Sequence, residues 1–172
     1  MEDKTIEQVY RFWWLHDGAW YQNVAKRFGF EVTNELNQEC LRYMAQRTMQ
    51  AYLRENRVDT NFANIEDFTK HFMASTRLLW PANWLENEVH ILGPDTFDVI
   101  IVKNFAVDML RRAGTLQHYE CPCLAARKGW FAGIGIKKYD DQELKCMIRG
   151  DDICQFRARI EAEWLDVRKE KA

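Results

Sequence analysis

A chain of 172 residues with a formal net charge of −2 and a pI near 6.1 lacks the surplus of Lys and Arg that a phosphate-binding surface needs, which excludes nucleic acid and anionic membranes as expected partners. The length suits one domain, spanning 1–172, and no apolar run approaches the roughly 20 residues of a membrane span. The start Met1-Glu2-Asp3-Lys4 has no basic, apolar leader, so the expected location is the cytoplasm and the five cysteines are expected to stay reduced, an odd count that cannot form a complete internal disulfide set.

The first part of the chain, 4–79, has helical character. Residues 4–28 form an amphipathic pattern in which Tyr10, Trp13, Trp14, Asp17, Trp20, Tyr21, Val24 and Phe28 recur at three- and four-residue steps, ended by Gly29. Asp17 interrupts that stripe, with His16 beside it. A carboxylate there either accepts a hydrogen bond from an indole or a helix end, or serves as a pocket acid or base. A second helix is predicted from Asn34 to Glu55, capped by Thr33 or Asn34, with Leu36, Cys40, Tyr43, Met44, Thr48, Ala51 and Tyr52 on one face; Cys40 is expected to be a core thiol. After a polar loop over 57–63, Asn64 caps a third helix, Ile65 to Leu79, whose Ile65, Phe68, Phe72, Thr76 and Leu79 face inward and whose His71 sits at the edge.

Pro81 ends the helical run, and 85–165 mixes strands and helices. Glu88–Leu92 and Phe97–Lys103 suggest a hairpin across Gly93-Pro94-Asp95. Asn104 to Ala113 suggests a short helix closed by Gly114, and Leu124 to Phe131 another, whose Gly129, Gly133 and Gly135 loosen the far end or admit another backbone. A last hairpin pairs Glu143–Ile148 with Ile153–Ile160, before a charged tail over 166–172 that is expected to fray. Helices first and strands later predict an α+β fold, with N-terminal helices packed on an antiparallel sheet that ends in the C-terminal hairpin.

Four cysteines cluster in this second part, as Cys121-Pro122-Cys123 and Cys146 with Cys154 across the last hairpin, while His118 and Glu120 precede the first pair. A three-residue loop would oppose Cys146 and Cys154 directly; other loops offset them by one residue, which a bulge could restore. Thiols so gathered are compatible with a metal site, inert buried thiols, a reactive thiol or a disulfide. Zinc suits a few soft ligands, drawn from Cys121, Cys123, Cys146, Cys154, Glu120 and His118; four thiolates also suit iron or an iron–sulfur cluster.

The stretch CPCLAARKGWFAGIGI…ELKCMIRGDDICQFRARIE resembles the C-terminal half of the 4-vinyl-reductase-type small-molecule-binding domain. WLHDGAWYQNVAKRFGFEVTNELN is similar to the opening of bacterial proteins related to L-2-amino-thiazoline-4-carboxylate hydrolase. The first resemblance implies an apolar ligand cavity, a homodimer, and a zinc held by a cysteine before a helix, two hairpin cysteines and a carboxylate. Carried over, these are Cys123, Cys146 and Cys154, with Cys121 competing for the first place and Glu120 standing in for the carboxylate. The second implies cleavage of a cyclic C–N or C–S bond.

Three functions are therefore in view. The first is a small-molecule-binding domain in which a zinc site braces a pocket lined by Trp13, Asp17, Trp20 and Trp130. The second is a hydrolase, using metal-bound water with Asp17 or His16 moving protons, or a Cys121 or Cys123 nucleophile activated by His118 or the following helix N-terminus. The third is a dimeric interaction module without ligand. No G-x-S-x-G or H-E-x-x-H motif supports hydrolysis independently.

Overall fold

A computed structural model describes residues 2–81 and 83–161. The fold is α+β: three helices, α1 (Glu2–Phe28), α2 (Phe30–Glu55) and α3 (Ile65–Thr76), precede strands β1 (Leu85–Ile91) and β2 (Thr96–Asn104); α4 (Phe105–Ala113), α5 (Cys123–Ile134), β3 (Tyr139–Lys145) and β4 (Cys154–Ile160) follow. The four strands form one antiparallel sheet in the order β1-β2-β4-β3. The expected tail over 166–172 lies outside the described residues.

Several boundaries follow from local chemistry. Asn64 caps α3 by accepting from the Asp67 N–H at 2.9 Å, and Asn104 caps α4 by accepting from the Ala106 N–H at 3.0 Å. Gly114 closes α4 in the left-handed conformation. At Gly29, φ is 84°, a conformation that favours glycine, so α1 turns into α2 within one residue. Helix α2 thus begins at Phe30, four residues before the expected start, and Thr33 and Asn34 are buried in its first turns instead of capping it.

The inward face of two helices differs from the expected one. On α1, Trp14, Asp17 and Tyr21 turn inward, whereas Trp13 and Trp20 are 58% and 40% exposed, joining Ile6, Val9 and Phe12 on the outer face. Aromatic residues follow more than one stripe of this helix, and helical period alone does not choose between stripes. On α2, Asn37, Ala45 and Met49 are buried while Leu36, Cys40 and Tyr43 are exposed, so Cys40 is a surface thiol and not a core one.

Helix α5 occupies the centre, with α2 on one side and the sheet on the other; Ala126, Arg127, Trp130, Phe131 and Ile134 are all buried. Its contact with α2 is backbone-close. A Cβ added at Gly129 would lie 2.1 Å from the Arg42 carbonyl oxygen, and one at Gly133 would lie 2.7 Å from Met49 Cβ and 2.8 Å from the Gln46 carbonyl oxygen. These glycines admit a neighbouring helix. Phe62, Phe68, Phe72, Phe97 and Phe131 fill the adjoining core.

Strand β4 alternates cleanly: Cys154, Phe156, Ala158 and Ile160 face the core, and Arg157 and Arg159 face outward. Asp98 on β2 sits opposite Arg157 and accepts from its Nε at 2.8 Å and Nη2 at 2.9 Å, with Gln155 donating at 2.7 Å. The Arg157 hydrogen bond holds the Asp98 carboxyl below the usual carboxylate range, against the opposing effect of burial.

Two outcomes test this packing. Gly129→Ala is expected to lower the unfolding free energy by about 1–3 kcal/mol from overpacking, despite the ~1 kcal/mol that alanine gains over glycine in a helix. Gly18→Ala on α1, where an added Cβ meets nothing within 4 Å, should raise it. Urea unfolding of both variants reads the opposite signs. For Asp98, a depressed folded pKa means stability present above the unfolded value of about 3.9 and lost as pH falls through the lower folded value. Acid titration of Asp98→Asn should show less stability at neutral pH and a shallower loss below about pH 4.

Candidate functional site: an apolar cavity beside a thiol and carboxylate cluster

The helices do not close fully on the sheet. Between α1, α2, α3, α4, α5 and strands β1, β2 and β4 lies a cavity of about 400 Å³ with largely apolar walls, among them Trp14, Phe72, Trp80, Val99, Trp130 and Phe156. Trp14 stacks on Trp80 at 5.7 Å and meets Phe105 edge-on at 5.3 Å, and its indole N–H donates to the Leu79 carbonyl at 3.3 Å. This arrangement fixes α1 over the cavity through rings that have few rotatable bonds. Of the four residues expected to line a pocket, Asp17 and Trp130 do; Trp13 and Trp20 lie on the outer face of α1, and Trp14 and Trp80 stand at the wall in their stead.

Asp17 is half-buried, and burial pushes its carboxyl above the ordinary range, opposed by His16. His16 itself is exposed, near the Trp13 ring and outside the cavity lining, so the pair does not form an acid–base couple facing one space. Asp17 does share the cavity with Cys121, Cys123 and Cys154.

The cysteines meet at one end of this cavity. Cys121 precedes α5, Cys123 opens it, Cys146 follows β3 and Cys154 opens β4. The β3–β4 ladder ends at Lys145 opposite Gln155, so Cys146 leaves the sheet and enters a 3-10 turn over Met147–Arg149. The two hairpin cysteines are therefore not cross-strand partners; they are brought together by the turn, and the Met147 N–H donates to Cys154 Sγ at 3.4 Å. Donor atoms of Cys121, Glu143 and Cys146 all lie within 4.8 Å of one another.

Glu143 was not among the residues expected here. Residues three apart in a regular strand point to opposite faces; Glu143 turns inward with Tyr139 and Asp141 by ordinary alternation, and a register shift between Glu143 and Lys145 brings Cys146 to the same side. The E-x-x-C spacing was visible in the sequence; the bulge that makes it useful was not. Arg149 pairs with the Glu143 carboxylate. Glu120 and His118, the expected alternatives, lie outside the cluster. Glu120 accepts from Gln38 on α2 at 3.1 Å, and the exposed His118 stacks on Phe30 at 4.5 Å. Buried Asn34 ties this segment down by donating to the His118 carbonyl at 2.8 Å and accepting from the Glu120 N–H at 3.3 Å.

Cys146 is surrounded by donors. Hydrogen bonds from the Cys121 and Cys154 thiols, reinforced by backbone N–H groups of Ile148 and Arg149, pull its thiol well below the usual value. Cys121 moves up, chiefly through hydrogen bonds to Cys123 and Cys146, and Cys154 moves up through its bond to Cys146 and then burial.

No family model matches the chain, and no curated protein matches it. Solved structures do. The trafficking protein particle complex subunit 3 from Naegleria fowleri, covalently bound to palmitic acid, superposes with a TM-score of 0.65 at 11% identity, covering 90% of this chain and 96% of that one. The phenol-responsive sensory domain of the transcription activator PoxR, with phenol, gives a TM-score of 0.60 at 11% identity over 90% of this chain and 77% of that one. What they share with this chain is the fold.

Thiol accessibility checks the arrangement. Alkylation followed by mass spectrometry should modify exposed Cys40 first, with Cys146 and Cys154, 0% and 1% exposed, reacting only on unfolding.

Proposed function

We propose that this chain is a small-molecule-binding domain of the 4-vinyl-reductase type, holding a hydrophobic ligand in the cavity behind Trp14 and Trp80. The observation that carries the reading is the cavity itself. Protein interiors are normally close-packed, and about 400 Å³ of unfilled apolar space is the size and character of a ligand site. Support comes from the structures of the same fold, one of which carries a fatty acyl group and the other phenol.

The second part of the proposal is a zinc held by Cys121, Glu143 and Cys146, with Cys154 as the fourth ligand. Tetrahedral zinc, with bonds of about 2.0–2.3 Å, needs donor atoms roughly 3.3–3.8 Å apart, and the three donors already within 4.8 Å of one another approach that with small side-chain shifts. The mixed carboxylate and thiolate set favours zinc over an iron–sulfur cluster, which prefers cysteine alone. Zinc would supply a cross-link between the start of α5 and the β3–β4 turn, next to the cavity wall. The donors around Cys146 keep it ready as a thiolate ligand, Arg149 holds the Glu143 carboxylate, and the Asn34 ties keep Cys121 in place through the preceding segment. Two copies are proposed to meet through the outer face of α1, where Ile6, Val9, Phe12 and Trp13 are exposed together.

Native mass spectrometry with elemental analysis tests all three parts at once. The expected result is a two-copy species with one zinc per chain and an apolar small molecule that leaves on organic extraction. Cys146→Ser and Glu143→Gln should each lose most of the zinc. Full zinc content in both variants would sink the metal assignment, and failure of the chain to take up any apolar probe would sink the binding assignment.

A further inference from the structure

Charge is scarce in the cavity wall. Among the described Asp, Glu, Lys, Arg and His residues, only Asp17 and Arg127 line it. Arg127 is matched by the buried carboxylate of Asp141, its Nε 2.9 and 2.7 Å from the two oxygens. That leaves Asp17 as the charged lining residue without a counterion among the described residues, and its charge is negative.

The fold directs Asp17 into this space. It stands between Trp14 and Tyr21 on the stripe of α1 that turns inward, at steps of three and four residues, and the stripe continues into Tyr21 and Ala25, 4% and 8% exposed. The buried carboxylates of Asp98 and Asp141 each meet an arginine. No described residue donates a hydrogen bond to Asp17; burial and the adjacent His16 are what act on its carboxyl, and His16 is exposed and outside the lining. Burial without a partner works against the ionised form, so the fold carries a cost at the wall of an apolar space. Ligand pockets use a few such polar groups to fix the orientation of what they hold.

The kind of partner follows from charge and donor chemistry. An anion would face Asp17 inside an apolar enclosure, where like charges repel more strongly than in water. A neutral hydroxyl would give one hydrogen bond and leave the charge uncompensated. An ammonium group both donates to the carboxylate and cancels its charge. The aromatic wall suits the same molecule, because Trp14, Trp80 and Phe105 offer apolar surface and ring faces that attract cations.

We infer that Asp17 is the polar anchor of the ligand and that the ligand class is a hydrophobic amine, its ammonium at Asp17 and its apolar part along the aromatic wall. The inference rests on the binding function proposed above and names the ligand class for that cavity.

Isothermal titration calorimetry on the full chain at neutral pH with four probes of matched shape tests it: phenylpropylamine, hydrocinnamyl alcohol, hydrocinnamate and n-butylbenzene. Phenylpropylamine is expected to bind at least about tenfold more tightly than each of the others, the factor typical of a hydrogen bond between charged groups. Asp17→Asn keeps the side chain's size and Asp17→Ser shortens it; in both, the amine should fall to within about threefold of n-butylbenzene measured on the same variant. Because the carboxylate has no partner in the empty chain, Asp17→Asn should be at least as stable to urea as the parent. A less stable variant would make Asp17 a structural residue and overturn the inference. Tightest binding of the alcohol or of hydrocinnamate would overturn it as well. Equal binding of amine and n-butylbenzene by the unmodified chain would leave the cavity a ligand site without a charged anchor, and an amine preference kept in both variants would place the ammonium elsewhere; either result ends the inference while sparing the binding function. If none of the four probes binds, the cavity is not a ligand site and both proposals fall together.

Discussion

The approach of α5 to α2 through Gly129 and Gly133 is the contact on which the rest of the structure depends. A side chain at Gly129 would occupy the position of the Arg42 carbonyl oxygen, so the two helices could not keep this spacing with any larger residue. Because α5 is pressed against α2, its other faces are left for the core and the cavity. Arg127 and Trp130 turn to the cavity, Phe131 enters the aromatic core, and Cys123 at its first turn reaches the thiol cluster. One helix thus carries a packing surface, a charge and a cysteine to different destinations.

The Arg127–Asp141 pair is the costly part of that arrangement. Both side chains are nearly inaccessible, at 3% and 4%, and removing two charges from water is offset only by good mutual geometry and surrounding contacts. Burial pushes the Asp141 carboxyl upward against the pull of Arg127, which shows that desolvation dominates at this site. The two Nε contacts and four phenyl rings hold the guanidinium, yet they leave one of its nitrogens unpaired. A buried ion pair adds little stability compared with well-packed hydrophobic residues of similar volume, whereas loss of either partner would leave the other charge buried and uncompensated.

The thiol cluster and the cavity share a wall. Cys121, Cys123 and Cys154 touch the cavity, while Cys146 sits behind them, wholly buried, in the turn after β3. A cross-link there would join the start of α5 to the sheet, where the chain otherwise changes direction through a short turn. The other anchor of that region is Asn34, whose hydrogen bonds to the His118 and Glu120 backbone and to the Tyr21 hydroxyl connect α1, α2 and the segment leading to Cys121. The pocket is framed from both sides by polar ties and lined by apolar rings.

Much of the fold was legible along the chain because it depends on near neighbours. Asn64 as a cap, Gly114 as a helix stop, the strand alternation of Cys154 to Ile160 and the clustering of four cysteines all follow from residues a few positions apart. The inward stripe of α3 was legible for the same reason, since Ile65, Phe68 and Phe72 have no competing apolar face. Only the tertiary structure decided the rest. It turned Trp14 inward and Trp13 and Trp20 outward, set Glu143 beside Cys121 and Cys146 where Glu120 and His118 were expected, and buried Arg127 with one nitrogen unpaired among the described residues. The reason is physical: caps and turns are satisfied by bonds within a few residues, whereas burial, a bulged register and an orphaned donor are defined by what packs across from them, 14 residues away for Asp141 and Arg127 and 65 for Trp14 and Leu79.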